Sequence, residues 1–281
     1  MRNLSGVTFK ASVAIIGLCA AFVLPAGAQT QAPAQAPAQA ASSSANSTSK
    51  PVLVELFTAE GCSDCPRAEE LAKRMETEPL RGINLIVLEE HVDYWNKYGW
   101  IDPFSSGDWT ARQLEYVGKT PKPDPYTPEM VIDGGAQFPG GDGRQAQAAI
   151  NAAAAAPETN LSVTQESLDA KGEGEFKISA GRLEGDAPGD PVEVWIAVTE
   201  DGLSSAVKAG ENAGHTLYHA AVLRYLHKVG AAQGSGDAAF TGDAKVKINS
   251  KWNRKDVNVV VFLQDKKSMK VLGVASTKLT S

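Results

Sequence analysis

Cys62 and Cys65 stand at C-x-x-C spacing in the stretch VLVELFTAEGCSDCPR (52–67), directly after an apolar run and just ahead of an amphipathic segment. A buried strand, a tight turn and a helix must follow one another here, and the turn delivers both sulfurs to the start of the helix. At that place the free amide N–H groups and partial positive charge of a helix N-terminus favour a thiolate. Cys62 is therefore the candidate nucleophile, and Cys65, one turn further in, the residue that resolves a mixed disulfide. Pro66 fits, because the first helical turn needs no N–H from it.

The surrounding chain sets the redox environment. Arg2 and Lys10 precede an apolar run over 11–24, and Ala26-Gly27-Ala28 follows, which reads as a signal peptide over 1–28 with cleavage after Ala28. The apolar run is too short for a spanning helix, so no transmembrane segment is expected after cleavage, and Leu18 before Cys19 does not fit a lipoprotein signal. Cleavage leaves 25 basic against 33 acidic side chains, a net charge of −8 that repels phosphate backbones and excludes a nucleic-acid partner. It also removes Cys19, leaving a lone pair of cysteines that forms a disulfide in an oxidising compartment. The expected localisation is secreted or periplasmic. Residues 29–50, QTQAPAQAPAQAASSSANSTSK, carry almost no apolar mass beyond alanine and read as a disordered linker.

From residue 51 the pattern alternates: strand 52–57, helix 63–78, strand 83–88, a long aromatic stretch HVDYWNKYGWIDPFSSGD (91–108), helix 109–117 with Leu114 and Val117 inward, then a Pro-rich turn. A hairpin over 130–138 and an Ala-rich helix over 143–156 complete the series. This order, with Pro128 at the start of the third strand, predicts an α/β thioredoxin-like domain over 51–157. After Pro157 seven short alternating segments predict an all-β, sandwich-like C-terminal domain over 158–281, with a helix over 216–228 as the local alternative.

Around the cysteine pair, His91 and Asp93 follow the second strand and are expected at the same sheet edge. His91 would orient a thiol, or join Cys62 and Cys65 in a copper site; the bland alternative is a strand-end histidine bonded to a loop carbonyl. Tyr94, Trp95, Tyr98, Trp100, Phe104 and Trp109 read first as a staple for their own loop and second as an apolar lip for a partner. Thr127 and Pro128 are expected to dock an incoming peptide by strand addition, and Met130 to be core. His215 and His219 have the i, i+4 spacing that binds metal only on a helix. Asp64 and Glu60 beside the pair disfavour a thiolate and lean the couple towards reduction.

Four blocks, FTAEGCSDCPRAE, HVDYWNKYGWIDPF with TARQLEY, YTPEMVIDG and GENAGHTLYH, resemble a family of secreted bacterial proteins, domain-of-unknown-function family 1223. The resemblance implies a thioredoxin-like fold, an extracytoplasmic setting, and site positions at Cys62, Cys65, His91, Asp93, Trp95 and Pro128. The expected function is a thiol-disulfide oxidoreductase acting on client proteins with disulfides or on a redox partner. The alternatives are a copper-binding or copper-delivering protein using Cys62, Cys65 and His91, and a non-catalytic binding module with a structural disulfide.

Overall fold

The structure is a computed structural model that describes residues 49–78, 80–119, 124–184, 191–233 and 236–280. The expected signal peptide, and all but the end of the linker, lie outside the described residues. The described residues all belong to one compact unit.

Its frame is a mixed eight-stranded sheet. The N-terminal half contributes β1 (Lys50–Thr58), β2 (Ile83–His91), β3 (Glu129–Ile132) and β4 (Ala136–Pro139). The C-terminal half contributes β7 (Val192–Glu200), β10 (Val222–Ala232), β12 (Val257–Asp265) and β13 (Val271–Lys278), in the order β13-β12-β7-β10-β2-β1-β3-β4. A smaller sheet, β11-β6-β5, is built from β5 (Leu161–Leu168), β6 (Glu173–Gly181) and β11 (Ala238–Lys247), and β8 (Leu203–Ala206) pairs with β9 (Thr216–His219). The helices are α1 (Cys65–Thr77), α2 (Gly107–Val117) and α3 (Gly143–Ala155).

This corrects the expected fold class. The chain is not an α/β thioredoxin-like domain followed by an all-β sandwich-like one: a single sheet runs through both halves, joined where β10 lies parallel to β2 at Val222 and Glu89. Hydrophobic alternation specifies which face of a strand is buried but not which neighbour it pairs with, so a continuous sheet reads like two shorter ones. The helical alternative for 216–228 is replaced by β9 and β10, and the turn between them places Ala221 at φ 52°.

Five strands of the large sheet, β1, β2, β3, β7 and β12, are buried on both faces over most of their length, as their apolar runs require. Val52, Val54 and Leu56 of β1, with Val87 of β2, pack against Ala68 and Ala72 of α1 and Ile150 of α3. The opposite parity, Leu53, Ile86 and Leu88, meets Ala197, Leu223, Val260, Phe262 and Val274 from the C-terminal half. These contacts bring the two halves of the sheet over one another. On the remaining face of β7 and β12, Val194, Ile196, Val259 and Val261 pack against Phe176 and Ile178 of the smaller sheet.

Candidate functional site

β1 ends in the turn that carries the cysteines. Cys62 and Cys65 are joined in a disulfide, the Cys65 amide donates to the Cys62 carbonyl at 3.2 Å, and α1 begins at Cys65, two residues later than the sequence pattern predicts. The last part of the chain clamps this turn. Asn212 donates from Nδ2 to the carbonyls of Glu60 and Cys62, both at 2.9 Å, and Glu211 accepts from the Ser63 amide at 2.9 Å. The GENAGH segment thus holds the C-x-x-C turn in place.

The disulfide is covered. Cys62 is 2% exposed and Cys65 fully buried, among Phe57, Val92, Tyr116 and Met269, with Tyr94 and Trp95 packed against them. The Trp95 indole N–H donates to the Thr127 hydroxyl at 2.7 Å, so the aromatic loop bridges to the segment carrying the cis Thr127–Pro128 bond. Beside this bridge lies an open groove of about 790 Å³, walled by Asp64 and Arg67 from the cysteine turn, by Tyr126, Thr127 and Pro128, and by Gly141 and Arg144.

The aromatic stretch is largely a staple. Trp100 donates to Glu60 at 2.7 Å, Tyr94 to Gln113 at 3.2 Å, Trp109 is buried in the core, and only Tyr98 is well exposed. Asp93 accepts from the Thr110 hydroxyl at 2.7 Å and so ties the loop to α2. In α2 the inward face is Trp109, Arg112, Gln113, Tyr116 and Val117, while Leu114 points outward. Met130 is core, as expected.

His91 belongs to a second, wholly buried assembly. Strand parity in LEEH sends Glu89 and His91 to one face of β2 and Glu90 to the other. His91 Nδ1 is 2.7 Å from Asp102 Oδ2, and that carboxylate also accepts from the amides of Glu60 (2.9 Å) and Phe104 (2.9 Å). The His91 and His219 rings meet edge to face at 4.7 Å, with the Phe104 ring 5.4 Å from each. His219 Nδ1 lies 3.3 Å from Glu89 Oε1 and 3.6 Å from Glu69 Oε2, and its Nε2 lies 3.1 Å from Glu60 Oε1. Glu89 also accepts from the Ala220 amide at 3.0 Å, Glu69 from the Thr58 hydroxyl at 2.6 Å, and Glu60 from Ser205.

Burial alone would depress the His219 pKa, but the hydrogen bonds with Glu60 and Glu89 and the charges of Glu89 and Glu69 outweigh it and push it up to about 11. Burial and the Glu89 charge raise Glu69 to about 7, against the opposing pull of His219. Burial likewise opposes ionisation of Asp102, yet the His91 charge and hydrogen bond carry it below the usual carboxylate range.

Among the described residues, the group of three metal-ligating side chains whose donor atoms converge is Glu89, His91 and His219; neither cysteine is in it. His215 is exposed and apart from His219's surroundings. Sequence reasoning singled out His91 and His219 separately and read Glu60 as acting on Cys62, but missed Glu69, Glu89, Asp102 and the clamp by Asn212. One signal was available: two adjacent glutamates and a histidine inside a strand that is otherwise buried on both faces are costly unless partnered.

Residues 53–264 match the model of the family described as protein of unknown function (DUF1223). The chain belongs to the DUF1223 family. Among solved structures it is similar to protein AGR_C_4864 from Agrobacterium tumefaciens, at 24% identity and a TM-score of 0.61, over 82% of this chain and 95% of that one. It is also similar to HBP35 of Porphyromonas gingivalis, at 15% identity and a TM-score of 0.60, over 82% of this chain and 76% of that one. At these identities the likeness is one of fold. No curated protein matches the DUF1223 chain by sequence.

Proposed function

We propose that this DUF1223 protein is an extracytoplasmic thiol-disulfide oxidoreductase whose Cys62–Cys65 couple serves client proteins docked in the groove beside Thr127–Pro128. The observation that carries the reading is that one open groove is walled both by Asp64, between the cysteines, with Arg67 in the first turn of α1, and by Thr127 and Pro128. An extended peptide lying there has its backbone beside Thr127 and a sulfur within reach of the cysteine turn once Trp95 swings away. In the reduced form the Cys62 thiolate attacks a client disulfide and releases one client thiolate. Cys65 then attacks the mixed disulfide, releases the second client thiolate and closes Cys62–Cys65, so that two electrons pass to the client. A dithiol donor protein restores the pair by the same exchange in reverse.

Charge near the pair favours that direction. Asp64 lies in the turn and Glu211 is bonded to it, while the cations Arg67 and Arg144 stand on the groove wall. The Glu60 carboxylate, expected to act on Cys62, instead turns inward to Trp100, Ser205 and His219.

The test uses Cys65→Ser. After reduction, incubation with glutathione disulfide should give a mixed disulfide on Cys62 by mass spectrometry, formed at least tenfold faster when Trp95→Ala is added. A second reading, a structural disulfide in a binding module, is favoured by the burial of Cys62 at 2% exposure. No adduct on Cys62 in either background would reject the catalytic proposal and leave that second reading.

A further inference from the structure

The geometry points to a buried divalent transition-metal site of the zinc class at the seam of the two halves, with Glu89, His91 and His219 as ligands and the Cys62–Cys65 pair outside it. The donor atoms are Glu89 Oε1, His91 Nε2 and His219 Nδ1, which all lie within 4.8 Å of one another, and a bound metal ion displaces to solvent the proton that Glu60, Glu69 and Glu89 favour on His219. Glu89 Oε1 stands 3.3 Å from His219 Nδ1 and 3.8 Å from His91 Nε2. Ligands held about 2.0–2.1 Å from a tetrahedral zinc ion are separated by roughly 3.4 Å, so small adjustments bring this set to bonding distance. Glu69 Oε2 lies 3.6 Å from His219 Nδ1, outside the converging set.

An independent observation is the state of His91. Its side chain is fully buried, and its Nε2 has no hydrogen-bond partner. Asp102 engages Nδ1 at 2.7 Å, which fixes the tautomer that presents a lone pair at Nε2. That lone pair then faces a carboxylate oxygen across a distance too long for a hydrogen bond, an arrangement a cation relieves. A carboxylate behind the distal nitrogen of a ligating histidine is the usual outer support of such centres, and here Asp102 is anchored by two backbone amides of its own. His219 also borders a cavity of about 540 Å³ that touches Glu76, Asp201 and Tyr218. Two imidazoles with one or two carboxylates suit zinc, iron(II) or cobalt(II) rather than copper(I), which prefers thiolates.

The test is metal uptake by the chelator-stripped protein with its disulfide intact, titrated with Zn²⁺ against a chromogenic competitor. One ion per chain is expected. Glu89→Gln, which keeps an acceptor for the Ala220 amide, and His91→Gln, which keeps a donor for Asp102, should each weaken binding at least a hundredfold, and Asp102→Asn ten- to a hundredfold. Circular dichroism in chelator reports whether each variant folds, and the Zn²⁺-dependent rise in melting temperature should be present in the parent and absent from Glu89→Gln and His91→Gln. Loading with Co²⁺ should give intense visible ligand-field bands without thiolate charge transfer, and the Cys62→Ser/Cys65→Ser protein should bind Zn²⁺ as the parent does. Absence of stoichiometric uptake would overturn the site, as would undiminished uptake by folded Glu89→Gln and His91→Gln proteins, or uptake lost with the cysteines.

Discussion

Arg112 is a cation in the interior of the sheet. Its guanidinium donates to Glu55 Oε1 at 2.5 Å and to Gln264 at 3.2 Å, it lies 3.6 Å from Glu90, and the Phe262 and Trp195 rings flank it at 5.3 and 5.9 Å. Tyr116 donates a further bond to Glu55 at 2.5 Å. Removing one member of a buried pair strands the charge of the other, so Arg112→Ala should cost ~3–5 kcal/mol in urea unfolding. A loss below about 1 kcal/mol would mean that Glu55 is neutral without its partner. Asp133 makes a pH prediction. Burial, reinforced by the charges of Glu158 and Glu55, raises its pKa to about 7 even though the Leu53 amide donates to it at 2.7 Å. The native state therefore holds a proton that the unfolded chain releases near pH 4, and this contribution to stability falls as pH rises from about 4 to 7, then levels off. Asp133→Asn keeps the acceptor and tolerates the residue's φ of 45°, so its melting temperature relative to the parent should climb through that window and then hold steady. A difference independent of pH would refute the assignment. Little of this was legible in the sequence: Arg112 occupies a helix position that reads as solvent-facing, and Leu114, which reads as core, is 48% exposed. A buried ion pair inverts the hydrophobic pattern that such reading depends on.

At the level of elements, the strand-turn-helix around the cysteines, the β3–β4 hairpin and α3 follow from local pattern, because apolar periodicity and turn residues are local properties. The start of α1 was misplaced because residues 62–64 form a turn, with Cys65 N bonded to Cys62 O, before the helix proper begins. What local pattern leaves out is where turns land. The β3–β4 turn rests on the β12–β13 turn: Val271 donates to the Asp133 carbonyl at 2.8 Å, and a Cβ on Gly134 would come within 1.9 Å of the Met269 carbonyl oxygen. Gly134 also has φ 63°. Gly134→Ala should therefore destabilise by ~2–4 kcal/mol, the sum of an unfavourable backbone conformation and an overpacked contact against backbone that cannot move aside. Gly202, also at positive φ (67°) but with nothing within 4 Å, is the control, and its alanine variant should lose only about 1 kcal/mol. Equal losses at the two positions in thermal melts would show that the two hairpin turns do not touch.

The whole molecule is organised by the seam between β2 and β10, which is short in backbone terms and dense in side chains. One ladder pair, Val222 with Glu89, and the Glu89 amide bonded to the Ala221 carbonyl at 2.9 Å join the halves at that edge. On one face His219 meets Glu60, Glu69 and Glu89, and on the other Leu223 packs with Leu53, Leu88 and Phe262. Each half buries apolar and charged groups against the other through the cluster around Leu53, Leu223 and Phe262 and the carboxylates around His219, so unfolding should be one cooperative event. Urea curves followed by far-ultraviolet circular dichroism and by tryptophan fluorescence should coincide. Leu223→Ala, a truncation at a residue 1% exposed, should shift both curves together by the ~2–5 kcal/mol that a buried leucine cavity costs. Curves that separate, or a variant that shifts only one of them, would mean that the sheet is continuous in hydrogen bonding but divided in stability. The proposed metal centre would then link two independently folding bodies instead of standing inside one.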